Sequence, residues 1–554
     1  MTMQKFTLAI LLLFTVKVNG QPTLDARQKE AITELLYQSV NDTTPGLAVG
    51  IVKQGEVIYE HYLGYANLAH RIPVTENTRF NIASTAKQFT ALMVLDMALK
   101  GQLSLEDDIR KYLPSLYPEV KEEIKIRHVL NHTSGIRDYV ELLSLQDKIW
   151  WKQMGLDNDD IIELLEKQQE LGFEPGSCYS YSNSGYVVLA ELIERVSGER
   201  FTTYSKAFFQ QLEMNQTAFV ERYMGVIPNR ADPYNDWGSG AWLQTPTITK
   251  TAGEGFLFTT LRDQLAYEQA LQRVDQKNEL LLKSQQLIPN SEIETYGFGL
   301  ELTDWSGRAA VHHAGGTYGY QSQMIRFPDQ DLAIFVMSNN GNIASHMIAD
   351  QIVAIVLPAI PNETTPTYHS RYYETVSKTR AAPVLGQYVR PDGSVIRIVN
   401  ERGITYWKTE GGARIELLEE NRNRYWMRSD STQKVGFYAD SVMLFNSSGT
   451  LTAYERSNIL PADAVEMEGW VGTYVNRELE LSFELKLAAD NQLTFLLSSW
   501  DSDEVEIVEP LNRNRLLVYH YVLELKRDAF NRVHEIRLSY DRAPNIRFEK
   551  QADQ

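Results

Sequence analysis

The sequence predicts an α+β domain with an antiparallel sheet, followed by an all-β C-terminal region. β-type runs stand at both ends of residues 21–358, and helical patterns fill the middle. Short turns separate the later runs, which favours antiparallel neighbours. Beyond a predicted linker at 359–383, strand patterns continue to the end of the chain. These observations indicate one sheet built from both ends of residues 21–358, flanked by helices and carrying a helical subdomain.

The composition is that of a globular protein with room for several domains. The chain has 554 residues, of which 43% are hydrophobic and 23% are charged. The net charge of −18, without clustered Lys and Arg, excludes a nucleic-acid-binding surface and argues against an anionic membrane partner. Cys178 is the single cysteine, so the chain forms no internal disulfide. No cofactor and no metal site are expected.

The N-terminal residues 1–20 have the pattern of a signal peptide. Lys5 provides a weakly basic start, an apolar run covers 6–16, and Val18 and Gly20 precede the predicted cleavage site. The run is too short for a permanent transmembrane helix. We therefore expect a periplasmic or secreted protein with no stable membrane span. The alternative is a hydrophobic first helix of the domain.

The elements of the first domain follow in order. A hairpin is predicted at 47–52 and 57–62, and a helix at 85–99 is apolar nearly all round, which indicates burial. Residues 137–170 are helical in pattern and contain Trp150 and Trp151, which we interpret as packing residues rather than a substrate wall. Later elements are a helix at 186–196, strands at 296–302, 308–313, 321–327 and 332–337, and a helix at 343–357.

The C-terminal region contains an internal repeat. Five short stretches recur in the same order, about 85–91 positions apart. They are Gly386-Gln387-Tyr388 with Gly472-Thr473-Tyr474, Ile404-Thr405-Tyr406 with Leu493-Thr494-Phe495, Asn421-Arg422-Asn423-Arg424 with Asn512-Arg513-Asn514-Arg515, Phe445-Asn446 with Phe530-Asn531, and Tyr454-Glu455-Arg456 with Tyr540-Asp541-Arg542. We predict two β-barrel-like repeats, at 384–466 and 467–554, with one larger barrel as the alternative.

Ser84 and Lys87 have the spacing of a nucleophile and its base. Positions i and i+3 share one face of a helix. Burial disfavours the ammonium form, so Lys87 could accept a proton from Ser84 near neutral pH. The same spacing occurs at Ser431 and Lys434, but within a β pattern, where i and i+3 point to opposite faces.

Three motifs in one domain carry a family resemblance. They are Ser84-Thr85-Ala86-Lys87, Tyr181-Ser182-Asn183 and His313-Ala314-Gly315-Gly316. In this order they resemble the serine β-lactamase and penicillin-binding-protein superfamily, and within it the group of class C β-lactamases, DD-carboxypeptidases, D-aminopeptidases and esterases. Further matching stretches lie at 103–108, 132–135, 173–176 and 296–299, and the resemblance covers about 30–358.

The resemblance implies a β-lactamase/transpeptidase-like fold and a role for each residue. Ser84 would attack a carbonyl, while Lys87 and Tyr181 move its proton. Asn183 would orient Lys87 or hydrogen-bond the substrate amide. The residues expected on the substrate side are Asn183, His313, Gly315 and Gly316, with the backbone N–H groups of Ser84 and Gly316 forming the oxyanion hole. Because a histidine stands where relatives have lysine, the carboxylate anchor is weakened at neutral pH.

The predicted function is that of an exported serine hydrolase working through an acyl-enzyme. Its substrate would be a small molecule or peptide, with the cell wall as one source: a D-amino-acid-containing peptide, an amide or a small ester. One alternative is a β-lactamase. Another is a penicillin-binding sensor or binding module that does not turn over. The C-terminal repeats would gate the cleft or bind wall material or a partner, and no oligomeric state follows from the sequence.

Overall fold

A computed structural model describes the chain from residue 22 to residue 551, with internal gaps. The gaps are 149–154, 221–224, 247–249, 274–277, 292, 294, 306–307, 359–382, 391–394, 410–413, 422–423, 428–429, 438–440, 446–450, 458–466, 489–490, 501–504, 513 and 520. The predicted signal peptide, Trp150 and Trp151, and all of the predicted linker except Pro383 lie outside the described residues.

The elements before the C-terminal region are helices and short strands around one larger sheet. The helices are α1 (Ala26–Ser39), α2 (Lys87–Leu99), α3 (Ile126–Leu130), α4 (Tyr139–Leu145), α5 (Asn158–Glu166), α6 (Asn183–Ser197), α7 (Phe201–Gln211), α8 (Leu261–Gln272), α9 (Glu279–Ser284) and α10 (Ser345–Val356). The strands are β1 (Leu47–Lys53), β2 (Glu56–Leu63), β3 (Tyr65–Asn67), β4 (Ile72–Pro73), β5 (Phe80–Asn81), β6 (Ala218–Phe219), β7 (Tyr234–Asn235), β8 (Leu243–Gln244), β9 (Leu257–Thr259), β10 (Glu301–Trp305), β11 (Arg308–Thr317), β12 (Tyr320–Phe327) and β13 (Leu332–Ser338).

The larger sheet has six strands in the order β10-β11-β12-β13-β1-β2, with every neighbouring pair antiparallel. The first strand therefore pairs with the last, and Leu47 faces Ser338. This confirms the predicted sheet built from both ends of the domain. Helix α2 is buried from Lys87 to Met97, as its apolar pattern predicts.

Three predicted elements differ from the structure. The strand predicted at 296–302 begins only at Glu301, because the preceding residues turn against α2. A Cβ at Gly299, where φ is +70°, would lie 2.5 Å from the Lys87 carbonyl. The strand predicted at 308–313 continues to Thr317. The helical stretch at 137–170 contains two separate helices, α4 and α5.

The C-terminal strands form two separate sheets. The first C-terminal unit is β14 (Gly386–Val389), β15 (Val395–Glu401), β16 (Ile404–Thr409), β17 (Arg414–Asn421), β18 (Arg424–Met427), β19 (Asp430–Phe437), β20 (Ser441–Phe445) and β21 (Leu451–Ser457), which close into a barrel. The second unit is β22 (Gly472–Asn476), β23 (Leu481–Leu487), β24 (Leu493–Leu497), β25 (Glu506–Ile507), β26 (Glu509–Asn512), β27 (Arg515–Val518), β28 (Tyr521–Arg527), β29 (Val533–Tyr540) and β30 (Ala543–Lys550), in one nine-stranded sheet. The predicted domain boundaries stay predictions.

The two units share a local contact that marks them as related. The Tyr388 hydroxyl donates to the Val384 carbonyl, and the Tyr474 hydroxyl donates to the Trp470 carbonyl, each four residues back. Both tyrosine side chains are fully buried.

The last two recurring stretches are not structural counterparts. Arg456 pairs with Tyr388 across β21 and β14, and the residue in that position of the second unit is Lys550, which pairs with Tyr474. Arg542 instead lies in the turn between β29 and β30. The predicted repeat is therefore correct in its first part, while its last two matches are wrong in register.

Candidate active site

Ser84 lies in a short 3₁₀ turn, Ala83–Ala86, directly before α2. Ala83 has φ of 47°, an unfavourable backbone conformation for a residue with a Cβ, and its amide is held by Asn81 Oδ1 at 2.8 Å. The next residue, Thr85, bonds through its hydroxyl to Ser322 on β12 at 2.8 Å. These contacts fix the nucleophile against the sheet.

Lys87 is buried next to Ser84 and uses all three donor positions of its ammonium group. Nζ donates to Ser84 Oγ at 3.1 Å, to Asn183 Oδ1 at 2.8 Å and to the Glu254 carbonyl at 2.7 Å. Burial lowers the pKa of Lys87 to about 8, against the opposing effect of the Glu254 carboxylate. A lysine with this pKa is partly neutral at physiological pH and suited to accept a proton from the serine.

Tyr181 lies on the other side of the nucleophile. Its ring centroid is 4.9 Å from Lys87 Nζ. Burial raises the pKa of Tyr181 well above its ordinary value, although the Ser84 hydroxyl acts in the other direction. The phenol therefore stays protonated, which favours Lys87 as the base and Tyr181 as a relay towards the leaving group.

His132 supports Tyr181 from behind, a contact that the sequence motifs did not reveal. The two rings are 4.3 Å apart, and His132 Nδ1 accepts from the backbone N–H of Ser182 at 3.1 Å. Burial lowers the pKa of His132 well below its ordinary value, so the ring is neutral. The role that follows is to hold the Tyr181 loop in place.

Asn183 is the first residue of α6, whose N-terminus is capped by Ser182. Its side-chain oxygen accepts from Lys87, and its backbone N–H donates to Asp138 Oδ2 at 2.7 Å. Of the two predicted roles, the contact with Lys87 is the one present in this structure. The amide contact with a substrate stays a prediction.

His313 is buried on β11 with both ring nitrogens already in contact with the protein. Nε2 lies 3.0 Å from the Tyr296 hydroxyl and Nδ1 lies 2.6 Å from the Ala314 carbonyl. Burial lowers the pKa of His313 to about 4, so it carries no charge at neutral pH. Its predicted donation to a substrate would require one of these two contacts to break, and it stays a prediction.

Gly315 and Gly316 bring β11 against the nucleophile. A Cβ at Gly315 would lie 2.3 Å from the Ile82 carbonyl and 3.1 Å from the Ser84 nitrogen, so only glycine permits this approach. Gly316 lines the same small pocket as Ser84, which has a volume of about 60 Å³. The pocket is lined by Ala83, Ser84, Tyr139, Val140, Asn183, Glu254, Gly255, Phe256, Gly316 and Thr317. The oxyanion hole predicted from the Ser84 and Gly316 amides is consistent with this placement.

Charged residues around the pocket were missed by the sequence motifs. Arg542, from the turn of the second C-terminal unit, lies 2.6 Å from Glu141 Oε1 and 3.3 Å from Asp138 Oδ2. Its guanidinium carbon is 6.0 Å from the centroid of the Tyr181 ring. Its cation also lowers the pKa of Lys87. No sequence signal could identify this contact, because the partners are 401 positions apart.

The described part of the chain offers no group of three or more His, Cys, Asp or Glu side chains arranged to hold a metal ion. Among its helices, none is both long enough and apolar enough to cross a membrane.

Comparisons with known proteins identify the family. The Beta-lactamase family model matches residues 30–356. Penicillin-binding protein 4* of Bacillus subtilis (strain 168) is 29% identical over 401 residues, covering 68% of this chain and 87% of that protein. A D-aminopeptidase of Brucella anthropi is also 29% identical, over 58% of this chain and 61% of its own length.

A solved structure supports the fold. The octameric penicillin-binding protein homologue from Pyrococcus abyssi superposes with a TM-score of 0.55 at 23% identity, covering 78% of this chain and 100% of that one. The family match extends over more than half of the sequence and contains Ser84, Lys87, Tyr181 and His313. The chain therefore belongs to the Beta-lactamase family of serine hydrolases.

Proposed function

We propose that this protein is an exported serine hydrolase that cleaves small amides or short peptides of D-amino acids through an acyl-enzyme. The observation that carries the proposal is the contact of Lys87 Nζ with Ser84 Oγ at 3.1 Å, in a site where burial lowers the lysine pKa to about 8. The D-aminopeptidase relatives support the substrate class. The signal-peptide pattern at 1–20 supports export.

The first half of the reaction forms the acyl-enzyme. Ser84 Oγ bonds to the carbonyl carbon while its proton passes to neutral Lys87, and the carbonyl oxygen becomes an oxyanion between the Ser84 and Gly316 amides. The carbon–nitrogen bond then breaks. The proton returns from Lys87 through the Tyr181 hydroxyl to the leaving amine.

Water completes the cycle by attacking the acyl carbon. Its proton passes to Lys87, the ester bond to Oγ breaks, and Ser84 recovers its proton as the acid leaves. Asn183 holds Lys87 in position through both steps, because its side-chain oxygen accepts from Nζ at 2.8 Å.

The size of the pocket favours a small acyl group. Its volume of about 60 Å³ leaves room for a few non-hydrogen atoms, since by this measure a cavity needs about 10–15 Å³ to hold one water. An alanine-sized side chain fits this space.

The test uses the two serines that share the S-x-x-K spacing. Wild type, Ser84→Ala and Ser431→Ala are treated with a fluorophosphonate probe and assayed on D-alanine p-nitroanilide. We expect wild type and Ser431→Ala to take the label and release p-nitroaniline, and Ser84→Ala to do neither. Labelling that survives in Ser84→Ala, with folding verified by circular dichroism, would contradict the site assignment.

The alternatives are separated by two further assays. Hydrolysis of a chromogenic cephalosporin above the Ser84→Ala background, at a kcat/KM exceeding that for D-amino acid amides, would favour a β-lactamase. A fluorescent penicillin adduct at Ser84 that persists while no substrate turns over would favour a non-turnover penicillin-binding sensor.

A further inference from the structure

The carboxylate of Glu254 is a second charged group in the nucleophile's pocket, and the catalytic mechanism above does not use it. Glu254 lines the pocket together with Ser84, and 13% of its side chain remains accessible. Lys87 Nζ bridges the two residues, at 3.1 Å from Ser84 Oγ and 3.6 Å from Glu254 Oε2. The carboxylate therefore faces the space that a substrate carbonyl enters.

The carboxylate is fixed through only one of its oxygens. The hydroxyls of Tyr139 and Thr251 donate to Oε1 at 3.0 and 2.9 Å. The contact recorded for Oε2 is the Lys87 ammonium at 3.6 Å, which is longer than a hydrogen bond. Oε2 is thus oriented by its neighbours and keeps acceptor capacity.

Lys87 does not need this carboxylate to hold its position. Its three donor positions are taken by Ser84 Oγ, Asn183 Oδ1 and the main-chain carbonyl of Glu254. That carbonyl would remain with any side chain at position 254. The need to orient Lys87 therefore does not explain why residue 254 carries a carboxylate.

The charge balance favours a cationic partner. When Lys87 is neutral and acts as the base, the Glu254 carboxylate loses its nearest counter-charge. The other carboxylate close to Lys87, Asp138, is already engaged by Arg542 and by the Asn183 amide. A cation that arrives with the substrate would neutralise Glu254 in that state of the enzyme.

We propose that Glu254 binds the free α-ammonium group of the acyl residue, which makes the enzyme selective for substrates with an unblocked N-terminal amino acid. The inference rests on the proposed function of the Ser84 site. In an aminoacyl group the α-nitrogen lies about 2.5 Å from the carbonyl carbon, which approaches Oγ to about 3 Å before attack. A charge-assisted hydrogen bond of about 2.8 Å then connects the ammonium to Oε2.

The arrangement also links substrate binding to activation of the base. A substrate ammonium on Glu254 places a second positive charge near Lys87, which favours the neutral form of the lysine. An N-acylated peptide brings no such charge. The site would thus distinguish aminopeptidase substrates from the blocked peptides that a carboxypeptidase cleaves.

The experiment compares Glu254→Gln with wild type on two anilides that differ only in the α-amino group. The pair is D-alanine p-nitroanilide and propionic acid p-nitroanilide, which presents the same acyl skeleton and leaving group without the amino group. We expect kcat/KM in Glu254→Gln to fall at least tenfold further for the aminoacyl anilide than for the propionyl anilide. Equal falls for both substrates would overturn the inference, because a mere loss of Lys87 geometry affects both alike.

Glu141→Gln is the matched control, since it makes the same chemical change in a carboxylate that Arg542 already holds. The ratio of the two kcat/KM values should stay at its wild-type level there. A wild-type enzyme that takes fluorophosphonate at Ser84 and cleaves the two anilides with equal kcat/KM overturns the ammonium site alone. Absence of labelling and of hydrolysis of both substrates overturns the proposed function itself.

Discussion

The two C-terminal units share a local tyrosine contact, yet they relate differently to the active site. The first unit has its own hydrophobic cluster, which includes Tyr388, Trp407 and Phe437. In the second unit, Trp470, Phe483 and Phe548 belong to the same hydrophobic cluster as the core of the catalytic domain. Within the described residues, the second unit is packed as part of the enzyme, whereas the first keeps a separate core.

The difference is greatest at one hairpin. The tip of the β29–β30 hairpin, residues 541–545, lies against the loop before α4. There the buried guanidinium of Arg137 donates to the carbonyls of Pro544 and Asn545 at 2.9 and 2.8 Å. The second unit is therefore tied to the catalytic domain next to the site.

Arg542 and Arg456 provide the strongest test of this comparison. Arg542→Ala leaves the buried carboxylates of Asp138 and Glu141 without their cation, and we expect a loss of about 3 kcal/mol in unfolding free energy. Because Asp138 positions Asn183, kcat/KM should fall at least about tenfold. Urea denaturation and amide hydrolysis measure the two effects.

Arg456→Ala is the control, since this arginine is exposed and, within the described residues, its hydrogen bond is a long one of 3.5 Å to the Leu385 carbonyl. The unfolding free energy of this variant should fall by less than about 0.5 kcal/mol. Similar losses in the two variants would show that the second unit is no more integrated than the first. Arg542→Lys keeps the positive charge but loses the paired N–H donors of the guanidinium, so its loss of unfolding free energy should lie between those of the two alanine variants.

Glu141 of α4 predicts that the stability of the protein depends on pH. Burial raises the pKa of this carboxyl from 4.5 to about 7, so the folded state binds a proton that the unfolded state releases. The contribution is complete below pH 4.5 and is lost as the pH rises towards 7, by about 2 kcal/mol. Unfolding curves at pH 5 and pH 7.5 measure this loss.

Glu141→Gln should flatten that pH dependence relative to wild type. The exposed Glu455 of the first unit serves as the reference, and Glu455→Gln should leave the profile unchanged. A wild-type profile that already matches Glu141→Gln would mean that Arg542 keeps Glu141 charged throughout.

Arg542 should also set the pH profile of catalysis. With Lys87 at a pKa of about 8, kcat/KM rises with pH through that value as the lysine becomes neutral. Removing the Arg542 cation raises the Lys87 pKa, so this limb should move upward by about half a pH unit in Arg542→Ala. The p-nitrophenyl propionate profile of Arg456→Ala should coincide with that of wild type.

The smallest effect is expected where the two units meet. Arg397 of the first unit pairs with Glu509 of the second, and both side chains are nearly half exposed. Arg397→Ala should change the unfolding free energy by less than about 0.5 kcal/mol. A loss as large as that of Arg542→Ala would place the first unit in the cooperative core as well.

Local sequence patterns and the order of the motifs predicted those elements of the enzyme that are determined by residues close together in the sequence. The burial of helix α2 was predictable because its sequence is apolar on all sides, so no face of the helix is suited to solvent. The strand predicted at 296–302 was wrong because Gly299 permits a close turn against α2 and Gly297 permits a close approach to the Gln286 carbonyl. Neither contact is visible in the alternation of side chains. The predicted signal peptide and linker remain predictions.

The charges of the site could not be predicted in the same way. Glu254, Asp138 and Arg542 lie outside the three family motifs. Each is recognised as part of the site only through its contact with a residue distant in the chain. Even the recurrence of Tyr-Asp-Arg at 540–542 suggested a repeat position, whereas the structure places this stretch in the turn that reaches the site. Sequence reasoning predicted Ser84 and Lys87, which the structure brings into contact, but it could not predict the charges around them.

The hairpin tip has a consequence for biosynthesis. Asp138 and Glu141 emerge from the ribosome about four hundred residues before the arginine that neutralises them. Until that arginine arrives, two carboxylates in an otherwise apolar region oppose closure of the α4 loop. The serine, the lysine and the tyrosine can thus be present long before their surroundings are complete. Hydrolytic competence in this chain reports that synthesis and folding have reached the last hairpin.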